Sequence, residues 1–245
     1  MKMVLFFAKM GTMNFLNPLK VGVLLLGGHG SRFGGDLPKQ YVLFGERPLF
    51  AYAAEALEKS AIDFIVYVVP EGYVAQTESL LERCGFRKQH AIVVGGNCRE
   101  ESAFSALRYL AENNLNPESL ILLQDGDRPN LSLSLIEEHF QMAEKYGAAV
   151  TAIPASDSIA ISEDGSRIKR YLPRKTVYQL QTPQTFRFSS LFECFLRSQN
   201  HLKDYTDEGS LYVSVTGKAP KIVLGDKANL KITERADAAS FMEKK

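Results

Sequence analysis

The segment Leu26-Gly27-Gly28-His29-Gly30-Ser31-Arg32-Phe33-Gly34-Gly35-Asp36-Leu37-Pro38-Lys39-Gln40 combines five glycines with two cations, Arg32 and Lys39. Glycines let backbone N–H groups converge on an anion, so this loop has the makings of a phosphate cradle. It contains no GxxxxGK[ST] pattern and lacks the register and acidic partner of a dinucleotide fingerprint. Without its cations the same loop would read equally well as a tight strand exit. A second group, Asp125-Gly126-Asp127-Arg128-Pro129, follows the apolar run Leu120 to Leu123. An acidic residue in that place can hold Mg2+ or a sugar hydroxyl; alternatively, Asp125 or Asp127 caps the turn into a helix. The third group is Val94-Gly95-Gly96-Asn97-Cys98-Arg99-Glu100-Glu101-Ser102. Two glycines allow a flat base to lie against bare backbone, although a tight turn with acidic residues in a first helical turn would look the same.

These groups need a scaffold that brings loops together, and the hydrophobic pattern supplies one. Val21 to Leu26 is wholly apolar apart from Gly22 and stops at Gly27-Gly28, as a strand buried on both faces does. Similar runs follow at Ile62 to Val69, Ala91 to Val94, Leu120 to Leu123 and Ala148 to Ile153. Helical spacing fills the intervals at Pro48 to Lys59, Val74 to Cys84, Arg99 to Glu112 and Leu133 to Tyr146. Alternation of this kind implies parallel strands joined by right-handed crossovers. After Pro154 it breaks. Ser158 to Ile161 and Arg167 to Arg170 flank the turn Glu163-Asp164-Gly165-Ser166, a hairpin too small to be stable alone, so a second copy of the chain is expected to cover it. A helix from Ser189 to Ser198, a strand from Lys221 to Leu224 and a closing helix from Glu234 complete the expected elements.

Composition narrows the partners. The chain has 245 residues, 45% hydrophobic and 23% charged, with 29 Lys+Arg against 28 Asp+Glu. A net charge of +1 gives no long-range field for a nucleic-acid backbone, so no nucleic-acid partner is expected. Cys84, Cys98 and Cys194 are odd in number and lack CxxC spacing, which fits a reducing cytoplasm better than a disulfide framework or a zinc site. The apolar run before Lys9 is too short for a signal peptide, and no run approaches a membrane span, so no membrane partner is expected. Residues 1–20 read as a disordered extension, with Met13 as an alternative start, and residues 21–245 as one domain. His29 sits in the glycine loop, and His90, His139 and His201 read as strand-edge or helix-surface residues, not a metal cluster.

Taken together, the motifs resemble the 2-C-methyl-D-erythritol 4-phosphate cytidylyltransferases, with the ribitol 5-phosphate cytidylyltransferases as close relatives. The resemblance rests on the loop ending in Pro38-Lys39-Gln40-Tyr41, on Gly95-Gly96 with Arg99 and Ser102, and on Asp125 with Arg128-Pro129. It extends through Gln181-Thr182-Pro183-Gln184-Thr185-Phe186, Thr206-Asp207-Glu208 and Asn229-Leu230-Lys231-Ile232-Thr233. It implies an α/β fold: a Rossmann-like, doubly wound, mostly parallel sheet of nucleotidyltransferase type, with a protruding β-hairpin arm at about 156–180 that serves dimerisation.

The resemblance also implies roles. Gly27, Gly28, Gly30, Arg32 and Lys39 would take the triphosphate of CTP; Gly96, Asn97 and Ser102 would lie near cytosine. Asp125 would serve Mg2+ and the nucleotide, and Arg32, Lys39 and Lys231 would be the catalytic cations. Arg128, Ser158, Arg174 and Thr182 would bind the polyol phosphate, partly from the neighbouring subunit of a homodimer, with Arg174 on its phosphate and Lys231 facing the α-phosphate. Three positions depart from the family pattern: Asp127 replaces a small apolar residue, Asn97 a commoner Asp, and Tyr178 a frequent Trp. The rival readings are a ribitol 5-phosphate cytidylyltransferase and a non-catalytic nucleotide-binding regulator. Retention of the cationic trio argues against the regulator.

Overall fold

The computed structural model describes residues 15–27 and 37–242. In chain order the elements are β1 (Lys20–Leu25), β2 (Leu43–Phe44), β3 (Arg47–Pro48), α1 (Leu49–Lys59), β4 (Phe64–Val69), α2 (Val74–Arg83), β5 (His90–Val94), α3 (Arg99–Glu112) and β6 (Leu120–Asp125). They continue with α4 (Leu133–Tyr146), β7 (Ala148–Pro154), β8 (Ile159–Ile161), β9 (Arg170–Leu172), β10 (Tyr178–Arg187), α5 (Phe188–Ser198), α6 (Glu208–Thr216), β11 (Lys221–Leu224) and α7 (Arg235–Met242). Seven strands form the central sheet in the order β11-β7-β10-β6-β1-β4-β5.

β1 explains why both faces of this sheet are apolar. Its side chains alternate, so Val21, Val23 and Leu25 join α3 and α5 residues such as Leu107 and Phe195 on one face. Leu24, together with Leu26 just beyond the strand, joins Phe50 of α1 and Phe140 of α4 on the other. β1 pairs in parallel with β4 on one side and β6 on the other. The chain therefore reverses its winding between β1 and β6, the position at which open α/β sheets leave a crevice at the carboxyl ends of their strands. Leu26 N donates to Val68 O (2.8 Å), Gly95 N to Val69 O (2.8 Å) and Gly126 N to Leu25 O (2.9 Å), so all three candidate loops leave this edge in fixed positions. Gly126 is required there: a Cβ would come within 2.4 Å of Leu26 Cδ2 and 3.0 Å of Leu25 O.

Several features differ from the sequence reading. β10 is a long strand, antiparallel to both β6 and β7, where the sequence suggested no strand. Its register shifts between Leu180 and Gln184 around a cis Thr182–Pro183 bond. Its polar residues hid it, because their partners come from distant segments: Gln184 Nε2 donates to Asp207 Oδ2 (2.8 Å) and Gln184 Oε1 accepts from Gly209 N (2.9 Å). Second, His139 is fully buried rather than on a helix surface. Thr151 gives its proton to Pro183 O (2.7 Å), so it accepts from His139 Nε2 (2.7 Å), leaving Nδ1 to accept from Thr185 (3.1 Å). Third, α6 forms despite its Gly, Ser and Thr content because Asp207 closes a capping box with Ser210. Fourth, residues 15–20 belong to the fold, not to a disordered extension: Phe15 is buried edge-on to Phe64, with ring centroids 5.2 Å apart, and Lys20 opens β1.

The arm exists as an antiparallel pair of β8 and β9, matched from Ile159↔Leu172 to Ile161↔Arg170. Its second strand starts three residues and ends two residues beyond the expected one, because the Asp164 carboxylate ties down the tip by accepting from Ser166 N (2.9 Å) and Arg167 N (3.1 Å). Among the described residues, no helix is long and apolar enough to cross a membrane.

Candidate active site

Asp125 ends β6 at the reversal crevice and is almost fully buried. Its Oδ1 accepts from Arg99 Nε (2.9 Å), its Oδ2 from Lys231 Nζ (2.9 Å), and Arg128 Nε stands 3.8 Å from Oδ2. Burial alone would raise this carboxyl's pKa; the charges of Arg99, Lys231 and Arg128 outweigh it and hold the group far below the usual carboxylate range. Asp125 is therefore an anion at any physiological pH. Lys231 is held in its charged form by the same contact: burial works against it, and Asp125 and Asp127 more than compensate.

Each group around Asp125 has its own support. Arg99 opens α3 and its NH1 donates to both oxygens of Glu208 (2.8 and 2.9 Å), the first residue of α6, which is itself buried. Thr182 Oγ1 accepts from Asp125 N (3.1 Å), fixing the backbone at the end of β6. Arg128 NH1 donates to Asn229 O (2.8 Å), and Asn229 Nδ2 donates to Thr182 O (2.8 Å). Lys39, in a short 3-10 turn over Lys39–Tyr41, is 8% exposed and donates to Ile232 O (2.6 Å) while paired with Asp127 Oδ2 (2.7 Å). Four cations thus converge with three carboxylates at one end of the sheet, leaving a positive excess among the described residues.

Beside this cluster lies the double-glycine turn. Gly96 N donates to Ser102 Oγ (3.2 Å), Ser102 Oγ donates to Cys98 O (2.8 Å), and Asn97 N donates to Glu101 Oε2 (2.8 Å). A Cβ on Gly96 would fall 2.3 Å from Glu101 Cβ, so only glycine fits. Gly27 faces the same hydroxyl: a Cβ there would lie 3.5 Å from Ser102 Oγ, and Gly27 O accepts from Gln40 Nε2 (3.0 Å). The described start of the first loop and the third loop therefore meet at Ser102, where glycine backbone lies on both sides of the hydroxyl.

The structure brings together Gly27, Lys39, Gly96, Asn97, Ser102, Asp125, Arg128, Thr182 and Lys231 from the sequence reading. Gly28, Gly30 and Arg32 lie outside the described residues. Thr182 supports Asp125 through its hydroxyl and is buried. Ser158 and Arg174 are exposed in the arm, where Arg174 NH1 donates to Ser156 O (3.2 Å). Neither shares a hydrogen bond or ion pair with the Asp125 cluster among the described residues. Arg99 and Glu208 were not singled out from sequence as site residues, although both lie in the quoted motifs. Their pairing across 109 positions is what the sequence could not show.

As for a metal, no group of three or more His, Cys, Asp or Glu gathers among the described residues. Mg2+ commonly takes one or two carboxylates and leaves its other positions to phosphate oxygens and water. An ionised carboxylate set among cations at the crevice fits that habit, and Asp125 is the residue that would serve.

Comparison with known proteins agrees with this geometry. The 2-C-methyl-D-erythritol 4-phosphate cytidylyltransferase (IspD) family model matches residues 21–242. The chain is 35% identical over 217 residues to the 2-C-methyl-D-erythritol 4-phosphate cytidylyltransferase of Thermosipho africanus, covering 89% of this chain and 94% of that relative. It is also 35% identical over 219 residues to the enzyme of the same name from Thermosipho melanesiensis, with 89% and 94% covered. In structure it is similar to 4-diphosphocytidyl-2C-methyl-D-erythritol synthase from Anaerococcus prevotii, with a TM-score of 0.78 at 25% identity over 93% of this chain and 95% of that one. With the double-glycine turn, the Asp125 cluster and the sheet order all consistent with such an enzyme, the chain belongs to the 2-C-methyl-D-erythritol 4-phosphate cytidylyltransferase family of nucleotidyltransferases.

Proposed function

We propose that this protein transfers the cytidylyl group of CTP to 2-C-methyl-D-erythritol 4-phosphate and releases pyrophosphate, a step in isoprenoid precursor synthesis. The observation that carries this reading is Asp125, held as an anion between Arg99 and Lys231 at the sheet's reversal crevice, with Lys39 beside it. A phosphate oxygen of the acceptor bonds to the α-phosphorus of CTP. The bond from that phosphorus to the oxygen bridging the β-phosphate breaks, and its electron pair leaves with pyrophosphate. Because the nucleophile is already an anion, no side chain has to remove a proton.

The protein's work is to hold two anions together and to meet the charge that develops between them. Lys231 faces the α-phosphate as a compact charge, and Lys39 and Arg32 serve the triphosphate. Asp125 would hold Mg2+, which when bound supplies charge to the nonbridging and leaving-group oxygens. The bare backbone of Gly27 and Gly96 around Ser102 takes cytosine, and a purine is expected to be disfavoured there.

The acceptor half belongs to a homodimer, in which the arm at about 156–180 of one subunit presents Ser158 and Arg174 to the other's crevice, the rest of the chain forming one catalytic domain. Exposed Ile168 and Tyr171 on the arm, with Tyr178 and Leu180 at the start of β10, give that second copy an apolar surface to cover. Cys84, Cys98 and Cys194 are all free thiols, which suits the cytoplasm. Pyrophosphate release tests the reading, with CTP, Mg2+ and either 2-C-methyl-D-erythritol 4-phosphate or ribitol 5-phosphate, and with ATP in place of CTP. Release is expected with CTP and the methylerythritol acceptor. Faster release with ribitol 5-phosphate would reassign the acceptor, and comparable turnover with ATP would overturn the cytidylyl assignment.

A further inference from the structure

Asp127 is buried between two cations of the crevice, Lys39 and Lys231. Its Oδ2 takes the Lys39 ammonium at 2.7 Å, and its backbone oxygen accepts from Ile232 N (2.8 Å). Ile232 O in turn accepts from Lys39 Nζ (2.6 Å), so Asp127, Lys39 and Ile232 form a closed triangle. The other carboxylate oxygen, Oδ1, is buried and makes no hydrogen bond among the described residues. Leaving such an atom without a partner is costly, and the cost calls for a reason. Lys231 Nζ lies 4.0 Å from Oδ1 while donating to Asp125 Oδ2 at 2.9 Å. An ammonium has three N–H donors and can move between neighbouring acceptors by a small rotation of its stem.

We propose that Asp127 is a positioning residue for the reaction: it anchors Lys39, and its free Oδ1 receives Lys231 when Asp125 is engaged by the nucleotide and its cation. The idea rests on the cytidylyltransferase reading above. A cation bound with the nucleotide at Asp125 would compete with the Lys231 hydrogen bond for the negative charge on Oδ2 and weaken it. A second carboxylate within reach keeps Lys231 in the crevice, facing the α-phosphate, after Asp125 has been drawn away. An apolar side chain at this position would provide no such acceptor.

Simple electrostatics makes the opposite prediction, because removing a negative charge beside a triphosphate site should tighten CTP binding. The test is calorimetric binding of CTP with Mg2+, together with kcat, for the wild type, Asp127→Asn, Lys231→Ala and the double variant, each checked for folding by circular dichroism and Tm. The expected result is that Asp127→Asn weakens CTP binding severalfold and lowers kcat about tenfold, with a much smaller loss in the Lys231→Ala background, as residues acting as a unit show. Asp127→Glu, which keeps the charge, should recover part of kcat, and it carries the test if the Asn variant does not fold. Unchanged or tighter CTP binding with kcat intact would overturn the proposal, as would a loss of equal size in both backgrounds. Failure of the wild type to bind CTP at all would overturn the cytidylyltransferase reading, and the positioning role with it.

Discussion

Asp125 and Arg174 are both charged residues assigned to phosphate chemistry, and the fold treats them in opposite ways. Asp125 is buried, with both carboxylate oxygens taken by cations from α3 and the 231 loop, and its backbone N–H is held by Thr182 of β10. Arg174 is exposed on an arm of two three-residue strands and reaches only as far as Ser156 O. The first arrangement is fixed before any ligand arrives, which is what charge stabilisation of a transition state requires. The second keeps its charge solvated and carries exposed apolar side chains nearby, as a surface awaiting a partner does. On the proposed reading, one chain supplies the nucleotide half of the site and another completes the acceptor half.

The hardest way to break this contrast is Asp125→Ala. It leaves Arg99, Arg128 and Lys231 without their shared anion, so activity should vanish and stability should fall by roughly 3–5 kcal/mol, the scale for breaking a buried ion pair on one side. Urea denaturation and pyrophosphate release read both effects. Lys231→Ala, by contrast, removes a partly exposed cation whose proposed work is chemical. It should lower kcat/KM about a hundredfold or more with Tm little changed; near wild-type turnover in a folded variant would remove Lys231 from the mechanism.

Smaller effects sharpen the boundary between the halves. Gly96→Ala forces a Cβ against Glu101, so the turn must deform; CTP affinity should drop by about 1–3 kcal/mol while acceptor KM stays nearly constant, measured by calorimetry and initial rates. His139 tests the strand that joins the halves, since β10 runs from the arm at Tyr178 to Thr182 beneath Asp125. Burial pushes the His139 pKa down from 6.5 to about 3, so the folded protein keeps the ring neutral. The stability this represents is fully present above pH 6.5 and is lost progressively as pH falls toward 3. His139→Gln should therefore show a shallower decline of urea midpoint over that interval than the wild type.

Much of the nucleotide half was legible in the sequence because its signals are local. Val21 to Leu26, Leu120 to Leu123 and the glycines that follow each strand say where strands end and what kind of turn comes next. Asp125, Lys39 and Gly96 could be placed at the crevice by that logic alone. β10 could not, because Gln184 and Thr185 make sense only with partners supplied by tertiary contact, and α6 is announced only by the Asp207–Ser210 cap ahead of a short run containing Gly, Ser and Thr. The same holds for Glu208, whose burial depends on Arg99 of a helix more than a hundred residues earlier. Phe15 escaped notice for a related reason: a single aromatic before β1 carries no periodicity, and only Phe64 shows that it belongs to the core. The arm's hairpin was visible from its turn, but its register was not, since Asp164 sets the tip by side-chain hydrogen bonds.

The central claim, a nucleotide half complete in one chain and an acceptor half supplied by its partner, is tested most directly by mixing subunits. Lys231→Ala and Arg174→Ala each impair a different half, so each homodimer should be nearly inactive at limiting acceptor. In a random equimolar mixture about half of the dimers are mixed, and each mixed dimer carries one intact site composed of the unmutated Lys231 of one chain and the unmutated Arg174 of the other. The account predicts recovery of up to about a quarter of wild-type pyrophosphate release after the two variants are unfolded and refolded together. Verified mixed dimers with no activity above that of the separate variants would show that each site is built within a single subunit, and would contradict the account.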